Sequence, residues 1–407
     1  MNSKTILVGD IGGTNSRLFL FKVNLNEISA HGLKTGQVAP GTLLYKEEYE
    51  NKGYSRFEDI VLKFLDTAKE VAAAEIPVAA CLAAAGPVSK NSVSFTNRGW
   101  TISGSKLKKV FGINTVKIVN DFVGAGYGLL TLNHAEDCYT LQSAPPQTDA
   151  PIACIGAGTG LGQCFLTPND VDGSYKCFSS EGGHAEYAPR TPIETEMLAY
   201  LKQKFNHAHR VSVERIVSGT GLANIYEFLS IKYKGDIDPV VHKQILDNPE
   251  TAGKIIANNP QCKLCQQTME IFVTAYGSEA GVAALKWMPK GGLYLAGGLT
   301  PKNLELLKGR DGPFMRALRD KGRVSGFLAD IPIYAVLKED LGVRGAHWVA
   351  VQDMIKLAET FESHKPLTNL TLRSTENAVR GSYSFVGWGV AAVLATVVVG
   401  LLLDRKK

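Results

Sequence analysis

A carboxylate and a glycine turn stand together near the start of the chain, where Asp10 is followed by Gly12, Gly13, Thr14 and Asn15. Backbone N–H groups of such a turn can hold phosphate oxygens, because glycine leaves no side chain in the way. A carboxylate beside them can hold Mg²⁺ through water. For the two glycines alone, an ordinary β-hairpin turn is the better explanation.

A second glycine turn, Gly158-Thr159-Gly160-Leu161-Gly162, changes this balance. It offers another set of backbone donors and a hydroxyl, so two facing turns could hold one polyphosphate from both sides. Neither turn has the G-x-G-x-x-G spacing, and the chain contains no G-x-x-x-x-G-K-[ST] segment. The dinucleotide-binding and P-loop interpretations are therefore excluded.

Short strands must flank both turns in order to position them. The predicted strands are 5–10 and 17–24 around the first turn, and 152–155 and 163–167 around the second. The apolar runs 78–85 and 116–119 are typical of buried parallel strands, and the second run ends at Asn120 and Asp121. Ligands bind at such strand ends in α/β sheets. The repeated plan predicts an α/β fold of two related halves around a cleft.

Helices and further strands follow from the spacing of apolar residues. The predicted helices are 57–71, 192–205, 268–287 and 345–357, and two further strands are predicted at 293–296 and 331–337. Capping boxes are predicted to begin the first two helices, with Ser55 and Glu58 in one and Thr191 and Glu194 in the other.

Composition excludes several classes of protein. The 407 residues suffice for two or more domains, and 45% hydrophobic with 20% charged residues is average for a globular chain. Wholesale disorder and a polytopic membrane protein are therefore disfavoured. The net charge is +5, and part of it lies in Arg405, Lys406 and Lys407, so we expect no nucleic-acid partner.

The cysteines indicate a reducing compartment. There are seven, an odd number, and several lie in apolar segments, which favours free thiols over disulfides. Cys262 and Cys265 form one isolated C-x-x-C, whereas a structural zinc site needs a second pair of ligands. We therefore expect no metal there.

Six motifs occur in a fixed order along the chain. They are D-x-G-G-T-N-x-R at 10–17, N-D at 120–121, G-T-G-x-G at 158–162, E-G-G-H at 181–184, S-x-E-R with S-G-x-G at 212–221, and A-G-G at 296–298. Over residues 4–358 this order resembles the bacterial-type (group A) glucokinases of the hexokinase and actin-like ATPase superfamily. The resemblance implies ATP-dependent phosphorylation of the 6-hydroxyl of glucose, the first step of glycolysis, with Mg²⁺ as cofactor.

The resemblance also implies domains and residue roles. It implies two actin-like (ribonuclease H-like) α/β domains, a small one at 1–121 completed by helix 345–358 and a large one at 122–344. Asp121 would be the general base, and Asn97, Asn120, Asp121, Glu181, His184 and Glu214 would bind the sugar. The nucleotide would contact Asp10, which also holds Mg²⁺ through water, Gly12, Gly13, Thr14, Asn15, Gly158, Thr159, Gly160, Ser218, Gly219, Gly221, Gly297 and Gly298. For Arg17, a phosphate contact and a surface salt bridge are equally good interpretations.

The C-terminal segment lies outside this resemblance. Residues 385–403 are nineteen residues without a charge, which is long enough for one transmembrane helix, and 364–384 read as a flexible linker. We expect a C-terminal tail anchor in an organelle membrane, with the catalytic part facing the cytosol. The mitochondrial outer membrane is the first expectation and the endoplasmic reticulum the alternative.

Two other functions stay open from the sequence. One is a catalytically silent sugar sensor tethered to a membrane, which would be favoured had Asp10 or Asp121 been replaced. The other is a kinase of another hexose, such as fructose, mannose or an amino sugar. Glucose and ATP are the expected small-molecule partners, and a homodimer is left open.

Overall fold

The structure is a computed structural model that describes residues 3–28, 32–95, 98–169, 173–207 and 209–363. The first part of the chain forms β1 (Ser3–Ile11), β2 (Asn15–Asn24), β3 (Thr42–Glu50), α1 (Phe57–Ala72), β4 (Ala79–Ala84), β5 (Val88–Ser89), β6 (Ser92–Phe95), β7 (Trp100–Ser103), α2 (Gly104–Phe111), β8 (Thr115–Asn120) and α3 (Asp121–Leu129).

The remaining described residues form a second, larger set of elements. They are α4 (His134–Asp137), β9 (Cys138–Gln142), β10 (Ile152–Ala157), β11 (Leu161–Pro168), β12 (Tyr175–Ser180), α5 (Pro192–Lys204), α6 (Gly219–Lys232), α7 (Pro239–Asp247), α8 (Ala252–Ala257), α9 (Lys263–Trp287), β13 (Gly292–Ala296), α10 (Leu299–Lys302), α11 (Leu304–Leu307), α12 (Pro313–Arg319), β14 (Ile333–Val336) and α13 (Leu341–Ser363). Short 3₁₀ helices at Gly182–His184 and Val213–Arg215 contain residues of the E-G-G-H and S-x-E-R motifs.

Two sheets share one strand plan. The first has the order β3-β2-β1-β4-β8, and the second has the order β12-β11-β10-β13-β14-β9. In both, the first three strands of the order pair antiparallel and the next two continue in parallel. The sequence prediction of strand, glycine turn and strand, occurring twice, is confirmed as β1–β2 and β10–β11. The α/β fold of two related halves is confirmed with it.

Two helix starts differ from the sequence prediction. Helix α1 begins after Arg56, which makes no side-chain cap bond, so the predicted Ser55 capping box is wrong. The carboxylate of Glu58 instead pairs with Lys106 at 2.7 Å. At α5 the side chain of Thr191 accepts from the Glu194 N–H, as predicted. Helix α9 begins at Lys263, several residues before the predicted position, so Cys262 lies at its N-cap.

The helices α3 and α13 lie in the core that is shared by the two sheets. This core contains Val8 of β1 and Ala83 of β4, Leu129 of α3 and Trp348 of α13, and also Tyr294 of β13, all buried. Each sheet packs its other face against a separate cluster of apolar residues. Because α3 starts at Asp121, directly after strand β8, the packing of this helix sets where that carboxylate lies.

Glycines allow α3 and α13 to approach closely. A Cβ on Gly345 would lie 1.7 Å from the carbonyl oxygen of Gly124, and a Cβ on Gly128 would lie 2.2 Å from that of Leu341. A glycine inside a helix costs about 1 kcal/mol relative to alanine. The close helix contact must offset that cost.

The predicted C-terminal linker 364–384 and tail 385–403 lie outside the described residues. Within the part of the chain that the structure does describe, no helix combines the length and apolar character needed to cross a membrane.

We predict that Gly345→Ala destabilises the protein. The added methyl group has no space against Gly124, and overpacking of this kind costs about 1–3 kcal/mol. Urea denaturation measures the free energy of unfolding, with Gly326→Ala as the control because a Cβ at Gly326 would meet nothing within 4 Å. Equal stability of the two variants would contradict the described helix crossing.

Candidate active site

Hydrogen bonds from neighbouring residues fix the backbone of the first glycine turn. The N–H of Gly12 donates to the carbonyl oxygen of Asn15 at 2.9 Å. The side-chain amide of the buried Asn51 donates to the Gly12 carbonyl at 2.8 Å, and Nε of Arg98 donates to the Gly13 carbonyl at 3.2 Å. Sequence reasoning missed Asn51, which lies far along the chain, at the end of β3, with no motif around it.

Asp10 lies at the end of β1, opposite Arg17 of β2. Arg17 is shared between two carboxylates, since it lies 3.6 Å from Asp10 and 3.4 Å from Glu48. Burial raises the pKa of Asp10, Arg17 lowers it, and the negative charge of Glu48 raises it again. A cavity of about 360 Å³ opens beside Asp10 and Arg17, so the carboxylate is accessible to a ligand. Of the two interpretations of Arg17, the structure shows the salt bridge.

The ends of three parallel strands bring Asn120 and Asp121 to the same sheet edge as Asp10. Ile11 of β1 is in register with Ala84 of β4, and Ala84 is in register with Asn120 of β8. Loops that follow parallel strands therefore meet here, as the sequence predicted.

Both polar atoms of the Asn120 side chain make hydrogen bonds within the protein. Its Oδ1 caps helix α3 by accepting from the N–H groups of Phe122 at 3.0 Å and Val123 at 3.3 Å. Its Nδ2 donates to the carbonyl oxygen of Gly86 at 3.1 Å and to Oδ1 of Asp121 at 2.8 Å. Asn120 thus orients the neighbouring carboxylate, a role that the sequence did not suggest.

The surroundings of Asp121 raise the pKa of its carboxyl group. Burial is the largest cause, and it raises the pKa of Asp121 to about 6. The N–H of Phe122 donates to Oδ1 at 3.0 Å and lowers the pKa, while the negative charges of Asp10 and Glu181 raise it. A carboxylate with this pKa can accept a proton from a hydroxyl group near pH 7.

Phe122 connects this helix start to the second glycine turn. A Cβ on Gly162 would lie 1.9 Å from the Phe122 ring, and a Cβ on Gly156 would lie 2.8 Å from it. These two glycines are cross-strand partners on β10 and β11. The ring therefore occupies the space that both missing side chains leave.

The second turn is tied to Glu214 and to the start of α6. The N–H of Leu161 donates to Oε2 of Glu214 at 2.9 Å, and a Cβ on Gly160 would lie 2.6 Å from that oxygen. The N–H of Gly219 donates to the Gly158 carbonyl at 2.8 Å. Thr159 at the tip of the turn is exposed.

The S-G-x-G motif forms the N-terminus of α6 beside this turn. The Oγ of Ser218 accepts from the N–H of Gly221 at 2.9 Å and donates to the Glu214 carbonyl at 2.7 Å. A helix N-terminus favours negative charge, so this position suits one end of an anionic nucleotide.

Three predicted sugar ligands converge on one point. Nδ1 of His184 lies 4.0 Å from Oε1 of Glu214, and its Nε2 lies 3.9 Å from Oε2 of Glu181. His184 and Glu181 are more than half exposed, so both are open to a ligand. Nη1 of Arg210, which sequence reasoning missed, donates to the His184 carbonyl at 2.8 Å and holds this loop.

Gly297 and Gly298 follow β13 at the same edge of the second sheet. Gly297 has a φ of 80°, and a Cβ there would lie 2.4 Å from the carbonyl oxygen of Ala157. Only glycine fits at that position. A Cβ on Gly298 would have space, since Lys302 Nζ, 3.3 Å away, would be its nearest neighbour. The predicted sugar contact Asn97 lies outside the described residues.

The fold, together with the residues gathered at these sheet edges, is that of a two-domain α/β sugar kinase. The structure is similar to that of a glucokinase from an Antarctic psychrotroph, with a TM-score of 0.67 and 27% identity, covering 86% of this chain and 99% of the other. It is also similar in fold to a ROK-family glucokinase from Streptomyces griseus, with a TM-score of 0.55 and 17% identity, covering 86% and 99% of the two chains.

The sequence comparison narrows this class to one family. The chain is 40% identical over 359 residues to the glucokinase of Synechocystis, covering 85% of this chain and 98% of the other. The Glucokinase family model matches residues 7–353. This chain therefore belongs to the glucokinase family. The narrower assignment to group A stays a prediction.

The expected location in an organelle membrane is wrong. Similar glucokinases come from cyanobacteria such as Synechocystis, whose cells contain neither mitochondria nor an endoplasmic reticulum. The family match also ends at residue 353, before the apolar segment on which that expectation rested.

We predict that Gly162 and Phe122 are energetically coupled. Gly162→Ala should cost about 1–3 kcal/mol because its methyl group displaces the ring. Phe122→Ala should cost about 3 kcal/mol, since the ring is only partly buried. The double variant should cost less than the sum, because the methyl group then fills part of the cavity.

The measurement is a double-mutant cycle of free energies of unfolding. Gly158→Ala is the matched control on the same turn, because a Cβ there would meet nothing within 4 Å. Additive costs in the Gly162 and Phe122 cycle would disprove the contact.

Proposed function

We propose that this chain transfers the γ-phosphoryl group of ATP to the 6-hydroxyl of glucose, giving glucose 6-phosphate. The observation that carries this proposal is the Asp121 carboxylate, whose pKa is raised to about 6, at an edge shared with a glycine turn. Membership of the glucokinase family supports it. The Streptomyces griseus structure is a complex with glucose and AMPPNP.

Asp121 is the proposed general base. A sugar hydroxyl is a poor nucleophile until a positioned base takes its proton. The hydrogen bond from Asn120 to Oδ1 fixes the carboxylate and leaves Oδ2 as the oxygen to face the hydroxyl. The proton would pass from the 6-hydroxyl to that oxygen as the bond from the sugar oxygen to the γ-phosphorus forms and the bond from that phosphorus to the bridging oxygen of ATP breaks, releasing ADP.

Glu181, His184 and Glu214 are the proposed sugar ligands, together with Asn97. The imidazole of His184 lies within 4.0 Å of each carboxylate, and together the three groups can accept from and donate to several hydroxyls. Holding several hydroxyls fixes the orientation of the sugar, which aligns the reacting oxygen with the γ-phosphorus. For Asn120 we propose contact with the sugar only at the expense of one of its present hydrogen bonds.

The two glycine turns are the proposed phosphate sites. The first would use the backbone of Gly12, Gly13, Thr14 and Asn15, and the second that of Gly158, Thr159 and Gly160. Phosphoryl transfer depends mainly on positioning and on neutralising charge, which both turns can supply. Ser218, Gly219, Gly221, Gly297 and Gly298 would border the adenosine end.

Asp10 is the proposed protein contact of Mg²⁺. Among the described residues no group of three or more His, Cys, Asp or Glu side chains could hold a metal ion. A single carboxylate fits a site whose other ligands are water and phosphate oxygens, which is how Mg²⁺ binds nucleotides. The ion would supply neutralisation of the phosphate charge.

The domain boundaries follow the same proposal. We assign 1–121 with helix 345–358 to a small domain and 122–344 to a large one, both actin-like. The common strand plan of the two sheets supports this assignment.

We predict that Asp121→Asn lowers kcat about 10²–10⁴-fold, the usual contribution of a general base. Glucose affinity should be retained, because the amide keeps the oxygen that accepts from Asn120. A coupled assay of glucose 6-phosphate formation, together with calorimetric glucose binding, measures both. Asp66→Asn, at an exposed position on α1, is the control. Unchanged turnover in Asp121→Asn would remove it from this role.

We also predict that activity falls in acid. The base works only when deprotonated, and its pKa is about 6, so kcat/KM should drop tenfold per pH unit below that value. The profile should be measured from pH 5 to 8, with circular dichroism at each pH to confirm that the protein is folded. A flat profile in folded protein would contradict Asp121 as the base.

A further inference from the structure

A buried polar pair lies beneath the loop that carries Glu181 and His184. Nε2 of Gln163, on β11, donates to Oε1 of Glu279, on α9, at 2.9 Å. Gln163 is 1% exposed and Glu279 is 8% exposed. The mechanism proposed above uses neither residue.

Both members of this pair are buried, so removing them from water has an energetic cost. Burial raises the pKa of Glu279, and the hydrogen bond from Gln163 is the largest opposing cause, followed by the charges of Lys286 and Lys321. Two apolar side chains of similar size would pack in such a place without that cost. Filling space therefore does not explain why both side chains of this pair are polar.

The other end of the Gln163 amide touches the sugar loop. A Cβ on Gly182 would lie 2.1 Å from Oε1 of Gln163, so the loop backbone rests directly on that amide. Ser180 is the cross-strand partner of Gln163, and its Oγ accepts from the Gly182 N–H at 3.1 Å. The position of Gln163 thus fixes where the 3₁₀ helix Gly182–His184 begins.

We infer that Gln163 and Glu279 form a positioning pair that sets glucose affinity by fixing the Gly182–His184 loop. Glu279 holds the amide from α9, and the amide supports Gly182 between the two sugar ligands Glu181 and His184. Neither residue touches the sugar. The inference rests on the proposed sugar-binding role of this loop.

The test separates positioning from stability by using a double variant. Gln163→Leu or Glu279→Leu alone leaves one buried polar partner unpaired and should lower the melting temperature. Gln163→Leu with Glu279→Leu removes both polar groups and should regain most of that loss. Its glucose Kd should nevertheless stay about tenfold or more above wild type, because a loop shift of about 1 Å is enough for such a change. The KM for ATP should stay within about twofold, since neither residue of the pair is among the proposed phosphate contacts.

Two further variants serve as controls. Glu279→Gln keeps an acceptor oxygen for Gln163 and should restore glucose Kd to near the wild-type value. Gln142→Leu removes another buried glutamine of the same sheet, one that bonds the Leu328 and Ile331 carbonyls. It should lower the melting temperature and leave glucose Kd unchanged.

The outcomes are distinct. A double variant with wild-type glucose Kd, or with equal changes in glucose Kd and ATP KM, would overturn the positioning role. Failure of the wild-type protein to phosphorylate glucose would instead overturn the proposed function. Calorimetric glucose binding, steady-state kinetics and thermal denaturation of the full chain together distinguish these results.

Discussion

The contact between the Phe122 ring and the glycine pair Gly156 and Gly162 connects the helix start after the first sheet to the second sheet at the proposed active site. The ring follows Asp121 directly, so its position and that of the carboxylate cannot change independently. Asn120 completes the arrangement by capping the helix and donating to the carboxylate. The proposed general base and the second glycine turn are thereby connected through the consecutive residues Asn120, Asp121 and Phe122.

The helix that carries this contact is a poor helix by composition. Helix α3 contains Gly124, Gly126 and Gly128, and three helical glycines cost about 3 kcal/mol relative to alanine. The cap by Asn120 returns about 1 kcal/mol. Packing must supply the rest, and it does so on two sides: Gly124 and Gly128 contact α13, while a Cβ on Gly126 would lie 2.4 Å from Sγ of Cys177. The glycines therefore reflect how tightly this helix is enclosed.

Local patterns predicted most of the fold, because β-strands around glycine turns and amphipathic helices have short-range signals. The two turns, the Asn120-Asp121 strand end and the convergence of Glu181, His184 and Glu214 came from motifs in order. Contacts between distant segments left no such signal: Gln163 reads as one polar residue in a strand, and its partner lies 116 residues further on. The apolar tail misled the prediction of location, since hydrophobicity alone does not identify a membrane or an organelle.

The electrostatics of the site explain why the pKa of the proposed base is raised. Asp10 and Glu181 both raise the pKa of Asp121, and burial raises the pKa of Asp10 as well. Such a carboxylate-rich edge repels a polyphosphate, and Arg17 is already shared by Asp10 and Glu48. The proposed binding of ATP would therefore depend on backbone N–H groups, on the α6 N-terminus and on a cation at Asp10. A cation there would also reduce the repulsion between Asp10 and Asp121, so nucleotide binding should favour the deprotonated base that the transfer needs.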